Sequence, residues 1–192
     1  TLAYAHISEA WKDYVRTSAT VRTSILTLFS TIETARGQAE SGYGKAVRAI
    51  AECPTLERHL LSEAHVSLSH AALALGRVQE AETAASEALS IRSESHTEGP
   101  WLAECFDVLG RIKRHQRLPF KAVAFHNQAI EIWKTDSETY QGPLAASHHA
   151  LAQAIYRSGD FSGARDAMAR AVLLTKERLG PDHVDTWISR FE

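Results

Sequence analysis

Residues 144–183, LAASHHALAQAIYRSGDFSGARDAMARAVLLTKERLGPDH, decide the fold. Leu144, Ser147, His148, Leu151 and Ile155 recur at helical spacing and give one helix a stripe that faces its neighbours. Gly159-Asp160 interrupts the pattern, and a second helix rich in small residues follows, with Ala164 and Ala171 on one face. Gly180-Pro181 closes it: glycine accepts the left-handed turn that ends one helix, and proline suits the first turn of the next. The unit is a helical hairpin.

The same hairpin fits over the upstream sequence. Ala81, Ala122 and Ala164 align, as do Ala88, Ala129 and Ala171, and Leu68, Leu109 and Leu151, with successive offsets of 41 and 42. Those offsets also bring Gly76, Arg117 and Gly159 together at the turn, with Val78, Pro119 and Phe161 two residues later. A single hairpin cannot bury its apolar face, so consecutive hairpins must stack. Alanine at the crossings lets the backbones approach closely. Punctuation at Pro54, Gly76, Gly99-Pro100, Arg117 to Pro119, Gly142-Pro143, Gly159-Asp160 and Gly180-Pro181 predicts helices at 2–17, 20–36, 43–52, 55–75, 77–94, 100–115, 118–136, 143–158 and 160–178.

The order Leu151, Gly159, Phe161, Ala164, Ala171 resembles the tetratricopeptide repeat, in which a leucine, a turn glycine, an aromatic and two alanines hold fixed places. The long period and the tail Leu179-Gly180-Pro181-Asp182-His183 are similar to the kinesin-light-chain variety of that repeat. The resemblance spans residues 41–192, with Arg117 and Pro119 replacing the glycine and the aromatic in the middle unit. It implies an all-α, right-handed superhelical solenoid of stacked helix-turn-helix hairpins. Residues 1–40 are then N-terminal helices that cap the array or form a degenerate repeat. We take Ala46 as the equivalent of Ala81, since matching Ala39 instead runs a helix through Gly42-Tyr43-Gly44 against their propensity.

Composition narrows the function. The 192 residues are 44% hydrophobic with only 10 Gly and 5 Pro, which argues against a disordered chain. Lys plus Arg number 21 against 23 Asp plus Glu, leaving no global field to attract nucleic acid. There is no membrane-spanning apolar run and no signal segment at Thr1 to Ala10, so we expect a cytoplasmic chain that contacts no membrane. Cys53 and Cys105 form no metal-spaced pair. The chain starts at Thr1, has Met168 as its one methionine and stops as a new helical pattern begins, so we expect a piece of a longer protein. Val184, Trp187, Ile188 and Phe191 would form that helix's apolar stripe, and self-association through this C-terminal end follows if nothing else covers it.

Signatures of chemistry are sparse. Gly37 and Gly42 have phosphate-loop spacing, but Tyr43 follows where the loop needs glycine's lysine neighbour in register. GxSxG, HExxH and CxxC are missing from the sequence. Ten histidines stand out, yet His148-His149 point about 100° apart on a helix and His65 and His70 are five residues apart, both poor chelating steps. We therefore expect no catalytic residue, no cofactor and no metal site.

The resemblance places the first helix of each hairpin on a concave face. Its groove positions fall on Glu63, Val66, His70 and Leu73, then Glu104, Asp107, Arg111 and Arg114, then Ala146, His149, Gln153 and Tyr156. Arg111 and Arg114 suit an acidic group, arginine matching a planar carboxylate. No lysine or asparagine stands at these positions, which argues against the carboxylate clamp by which some tetratricopeptide proteins hold a chaperone's tail. The reading is a non-catalytic module that binds a protein or peptide, acidic in character, as the scaffold or sensor region of a larger multidomain protein. Two alternatives stand beside it: an enzyme or metal protein whose histidines converge in three dimensions, and a structural oligomerisation arm.

Overall fold

The computed structural model describes residues 18–94 and 99–180. The helix expected at 2–17, and the Val184 to Phe191 stripe with the self-association it implies, lie outside these residues. Eight α-helices carry the described chain: α1 (Ala19–Ala35), α2 (Ala39–Glu52), α3 (Arg58–Ala74), α4 (Val78–Glu94), α5 (Pro100–His115), α6 (Pro119–Trp133), α7 (Gln141–Ser158) and α8 (Phe161–Leu179). A 3-10 turn, Lys134–Asp136, follows α6, and no strand occurs among the described residues. The chain divides into two compact units, Thr1–His96 and Thr97–Glu192. In the first, α1 pairs with α2 and α3 with α4, and α3 also packs on α1 and α2. In the second, α5 pairs with α6 and α7 with α8, while α7 also packs on α6 and α5.

Local chemistry explains the helix ends. Ser18 Oγ accepts from Val21 N–H and Asp160 Oδ1 from Gly163 N–H, each satisfying an amide that the helix leaves open. Pro100 and Pro119 open α5 and α6, where a missing N–H costs nothing. Four turns between paired helices carry a left-handed residue: Gly37, Gly76, Arg117 and Gly159. The first three close alike. In each, the left-handed residue's N–H donates to the carbonyl three residues back, and the next N–H donates to the carbonyl five back, as with Leu118 N–H on Lys113 O at 2.9 Å. Arg117, at φ 60°, is the one non-glycine with positive φ among the described residues, a conformation that costs an L-residue roughly 1–2 kcal/mol.

These turns fix the repeat register and correct the expected one. Counting from Gly37, the equivalent of Ala81, Ala122 and Ala164 is Gly42, and that of Ala88, Ala129 and Ala171 is Ala49. Ala46 falls instead in the column of Ala85 and His126. Helix α2 therefore begins at Ala39 and runs straight through Gly42-Tyr43-Gly44, where propensity had predicted a boundary. The cause is contact between helices. Gly42 is buried against α1, and a Cβ there would meet the Ser30 carbonyl oxygen at 2.8 Å and Thr34 Oγ1 at 2.3 Å. Gly42 thus carries the close-approach duty that alanine performs in the other hairpins.

The aligned alanines are all buried, with Ala81 and Ala122 fully so. Leu109 and Leu151 are buried too, whereas Leu68 stays half-buried. In the second unit Ala103, Ala129, Ile130, Trp133, Leu144 and Leu151 form one apolar cluster, and in the first Leu26, Ala49 and Ala64 form another, with Ile50 against it.

Gly42→Ala sets two effects against each other. Helix propensity favours alanine by about 1 kcal/mol, but the added methyl meets a backbone carbonyl that cannot rotate away, and overpacking costs about 1–3 kcal/mol. We expect net destabilisation of about 1 kcal/mol in urea unfolding. Gly44→Ala, with nothing within 4 Å of its Cβ position, should stabilise.

Candidate functional site

The expected groove residues separate into three groups. In the first unit, Val66 and Leu73 are buried, at 3% and 6% exposure, and leave the candidate surface. Helix α3 is packed by α1, α2 and α4 together, so its apolar side chains are drawn into the core. Glu63 and His70 on the same helix remain half-buried. In the second unit, Arg111 is exposed and Glu104 and Arg114 are half-buried on α5. Helix α7 presents His149 and Gln153, whose Nε2 atoms lie 3.2 Å apart, and Tyr156, 62% exposed, which meets Phe161 edge-on at 5.2 Å.

Asp107 has a different role from the one its row suggested. Its carboxylate accepts from His126 Nδ1–H at 2.9 Å and Trp133 Nε1–H at 3.1 Å on α6, and from the Ser147 hydroxyl on α7. One side chain thereby ties three helices together. His126 is fully buried and Trp133 nearly so. The imidazole rests on Gly110, where a Cβ would come within 2.6 Å of the ring. The repeat columns explain this fit. The position of His126 holds Ala46 and Ala85 in the earlier hairpins, and that of Gly110 holds Ser30 and Ser69. A larger side chain on one helix is matched by a smaller one on the facing helix. Sequence reasoning missed His126, Trp133 and Ser147; the size exchange between those two columns is the signal that could have found them.

Asp, His and Ser within bonding distance invite comparison with an acyl-transfer triad. There the imidazole must stand between the carboxylate and the hydroxyl so that it can take the hydroxyl proton. Here the carboxylate stands in the middle, Ser147 directs its one hydroxyl proton to it with the Pro143 carbonyl 3.0 Å from the same oxygen, and His126 Nε2 has no partner against Gly110. The arrangement holds helices together and activates no nucleophile. Among the described residues, no three of His, Cys, Asp and Glu converge as metal ligands. Burial pushes the Cys53 thiol up, which opposes thiolate chemistry. Burial also holds His65 and His148 below the usual imidazole range, the latter aided by Lys134 and Arg170.

Beyond Asp107, α5 and α7 carry positive charge. Partial desolvation lowers Arg111 from its ordinary range although the residue is exposed overall, with Asp107 opposing. Arg114 is lowered by burial and then by Arg111 and Arg157. Next to this charge, α7 and α8 enclose a largely apolar trough of about 1050 Å³, lined by Tyr156, Phe161, Met168, Val172 and Leu173 and reaching Arg114, Gln153 and Arg157. No described helix is long and apolar enough to cross a membrane.

Comparison with known proteins fits this geometry. Two family models, both described as tetratricopeptide repeat, match residues 60–135 and 144–185, together more than half of the chain. No curated protein sequence matches. Among solved structures, a Podosopora anserina protein with kinesin-light-chain nearly identical TPR-like repeats is 20% identical, with 91% of this chain and 84% of that one covered and a TM-score of 0.71. BtubC (BKLC) from P. vanneervenii is 17% identical over 93% of this chain and 77% of that one, with a TM-score of 0.73. Aspartyl phosphate phosphatase F from Bacillus subtilis is 14% identical over 91% of this chain but 45% of that one, with a TM-score of 0.74. At these identities the likeness is one of fold.

Asp107→Ala should destabilise the chain by roughly 2–4 kcal/mol, because it strips the acceptor from the buried donors of His126 and Trp133. Ser147→Ala, which removes one donor and keeps the acceptor, should cost about 1 kcal/mol. Urea unfolding that finds the two substitutions equal would show that the carboxylate does not organise the three helices.

Proposed function

Since the chain belongs to the tetratricopeptide repeat family, we propose that it is a non-catalytic module that binds a protein or peptide segment across α5 and α7 of its second unit. Binding of protein or peptide partners is what tetratricopeptide repeats support, and the specific surface is our reading. The observation that carries it is the junction of charge and apolar space: Arg114, Gln153 and Arg157 line the same trough as Tyr156, Phe161 and Met168. A peptide with an acidic side chain near Arg111 and Arg114 gains charge-assisted hydrogen bonds there, while an adjacent apolar side chain leaves water in the trough. Acting through what it holds, such a module serves as a scaffold or a sensor within a larger assembly.

The test is selection of binding peptides from a display library, followed by affinity measurement on the intact chain. Acidic peptides with an aromatic or aliphatic neighbour should be enriched. Arg111→Ala with Arg114→Ala should weaken them about tenfold or more, and Tyr156→Ala should weaken them separately. The Tm should move by only about 3 °C or less, since exposed charges add little to stability. Enrichment of basic peptides, or affinity unchanged in all variants, would contradict the surface assigned.

A further inference from the structure

A second, smaller cavity of about 330 Å³ opens in the same unit. Arg114 and His115 line it from the last turn of α5, Arg117 from the turn before α6, and Gln153 and Arg157 from α7. We propose that this cavity binds a tetrahedral oxyanion of the phosphoryl type, carried on a phosphorylated side chain or as free phosphate. The inference goes beyond the peptide groove, with which the cavity shares Arg114, Gln153 and Arg157, while His115 and Arg117 belong to the cavity alone.

The lining contains three guanidinium groups, an imidazole and an amide, and no carboxylate. Among the described residues, Arg114, His115, Arg117 and Arg157 enter no ion pair, unlike Arg22, Arg48, Arg58 and Arg77, which each meet a glutamate. Guanidinium groups are cationic, and these stand together on one cavity with no counter-charge from the protein among the described residues. His115 is held below the usual imidazole range by burial first and then by the charges of Arg114, Arg111 and Arg157. A flat monoanionic carboxylate occupies one guanidinium fork, whereas a tetrahedral dianion offers three oxygens and two charges to forks arriving from different helices.

Helix ends offer a simpler account of part of this. Cations in the last turns of α5 and α7 are favoured by the helix dipole. That account covers neither their convergence on one cavity nor Arg117. Three of the four turns use glycine at the left-handed position, and the fourth keeps an arginine there at φ 60° with its side chain on the cavity. Strain retained where glycine would remove it points to a use for the side chain.

Titration of the intact chain at low ionic strength tests the site. The probes are inorganic phosphate, the pentapeptide Ala-Ala-phosphoserine-Ala-Ala, and Ala-Ala-Glu-Ala-Ala. Phosphate and the phosphopeptide should bind saturably, and the glutamate peptide at least about tenfold more weakly. Arg157→Ala should reduce phosphoryl binding about tenfold, and Arg117→Gly should reduce it similarly while raising the Tm, because glycine relieves the left-handed strain. Tighter binding of the phosphopeptide assigns the anion to a modified side chain, and tighter binding of phosphate to a free ion; both support the site. Tyr156→Ala, which lies outside this cavity, should leave phosphate binding unchanged, so failure of the peptide groove is distinguishable from failure here. Absence of saturable binding, equal affinity for the glutamate peptide, or full affinity in both arginine variants would overturn the proposal.

Discussion

The Asp107 carboxylate sets the geometry of the second unit. Three donors from two helices meet on one side chain of a third, which is a different means of joining hairpins from the alanine contacts used elsewhere. An apolar crossing permits some sliding along the helix axes, whereas a carboxylate with three directional partners does not. The cost of placing a charge among buried groups is offset by those hydrogen bonds. Everything around the node follows from it. His126 needs the space that Gly110 leaves, Trp133 is held with its indole against Tyr140, and α7 is held to α5 at Ser147. The arginines of α5 and α7 lie farther along these two fixed helices, so their approach is a consequence of the join.

Polar groups in this unit thus fall into two electrostatic classes. The charge of Asp107 is surrounded by donors and serves the fold. Arg114, Arg117 and Arg157 have no counter-charge among the described residues and surround open space. Groups satisfied by the protein hold it together, and groups left for something else are where binding is to be sought. The first unit lacks this contrast in its described part, where Arg22 and Arg48 share Glu52, Lys45 meets Glu33, and Arg77 lies over the Tyr43 ring beside Glu40.

Hairpins, turns and most helix ends were legible because they depend on local signals: glycine at a left-handed turn, proline at a helix start, alanine at regular intervals. The expected ranges 77–94 and 100–115 lie within a residue of α4 and α5. The start of α2 was illegible because Gly42 reads locally as a helix breaker, and its value comes from Ser30 and Thr34 on the facing helix. For the proposed surface, spacing put Asp107, Arg111 and Arg114 on one row of α5 but could not separate Asp107, which turns inward to His126, from the two arginines on the same stripe. Val66 and Leu73 were misplaced for a related reason: a groove position carried over from the family says nothing of how closely α1 packs on α3. Arg117 was visible as a departure from the glycine column, while its partners Arg157 and His115 became apparent only when two helix ends were brought side by side.

The most direct measurement of the central claim is the proton position on the His126 ring, read from long-range proton–nitrogen NMR correlations on the labelled chain. A carboxylate that gathers donors requires the proton on Nδ1, facing Asp107, and a bare Nε2 against Gly110. A ring protonated at Nε2 with Nδ1 bare would contradict the account, because Asp107 would then receive nothing from His126 and the three helices would have to be held by some other contact.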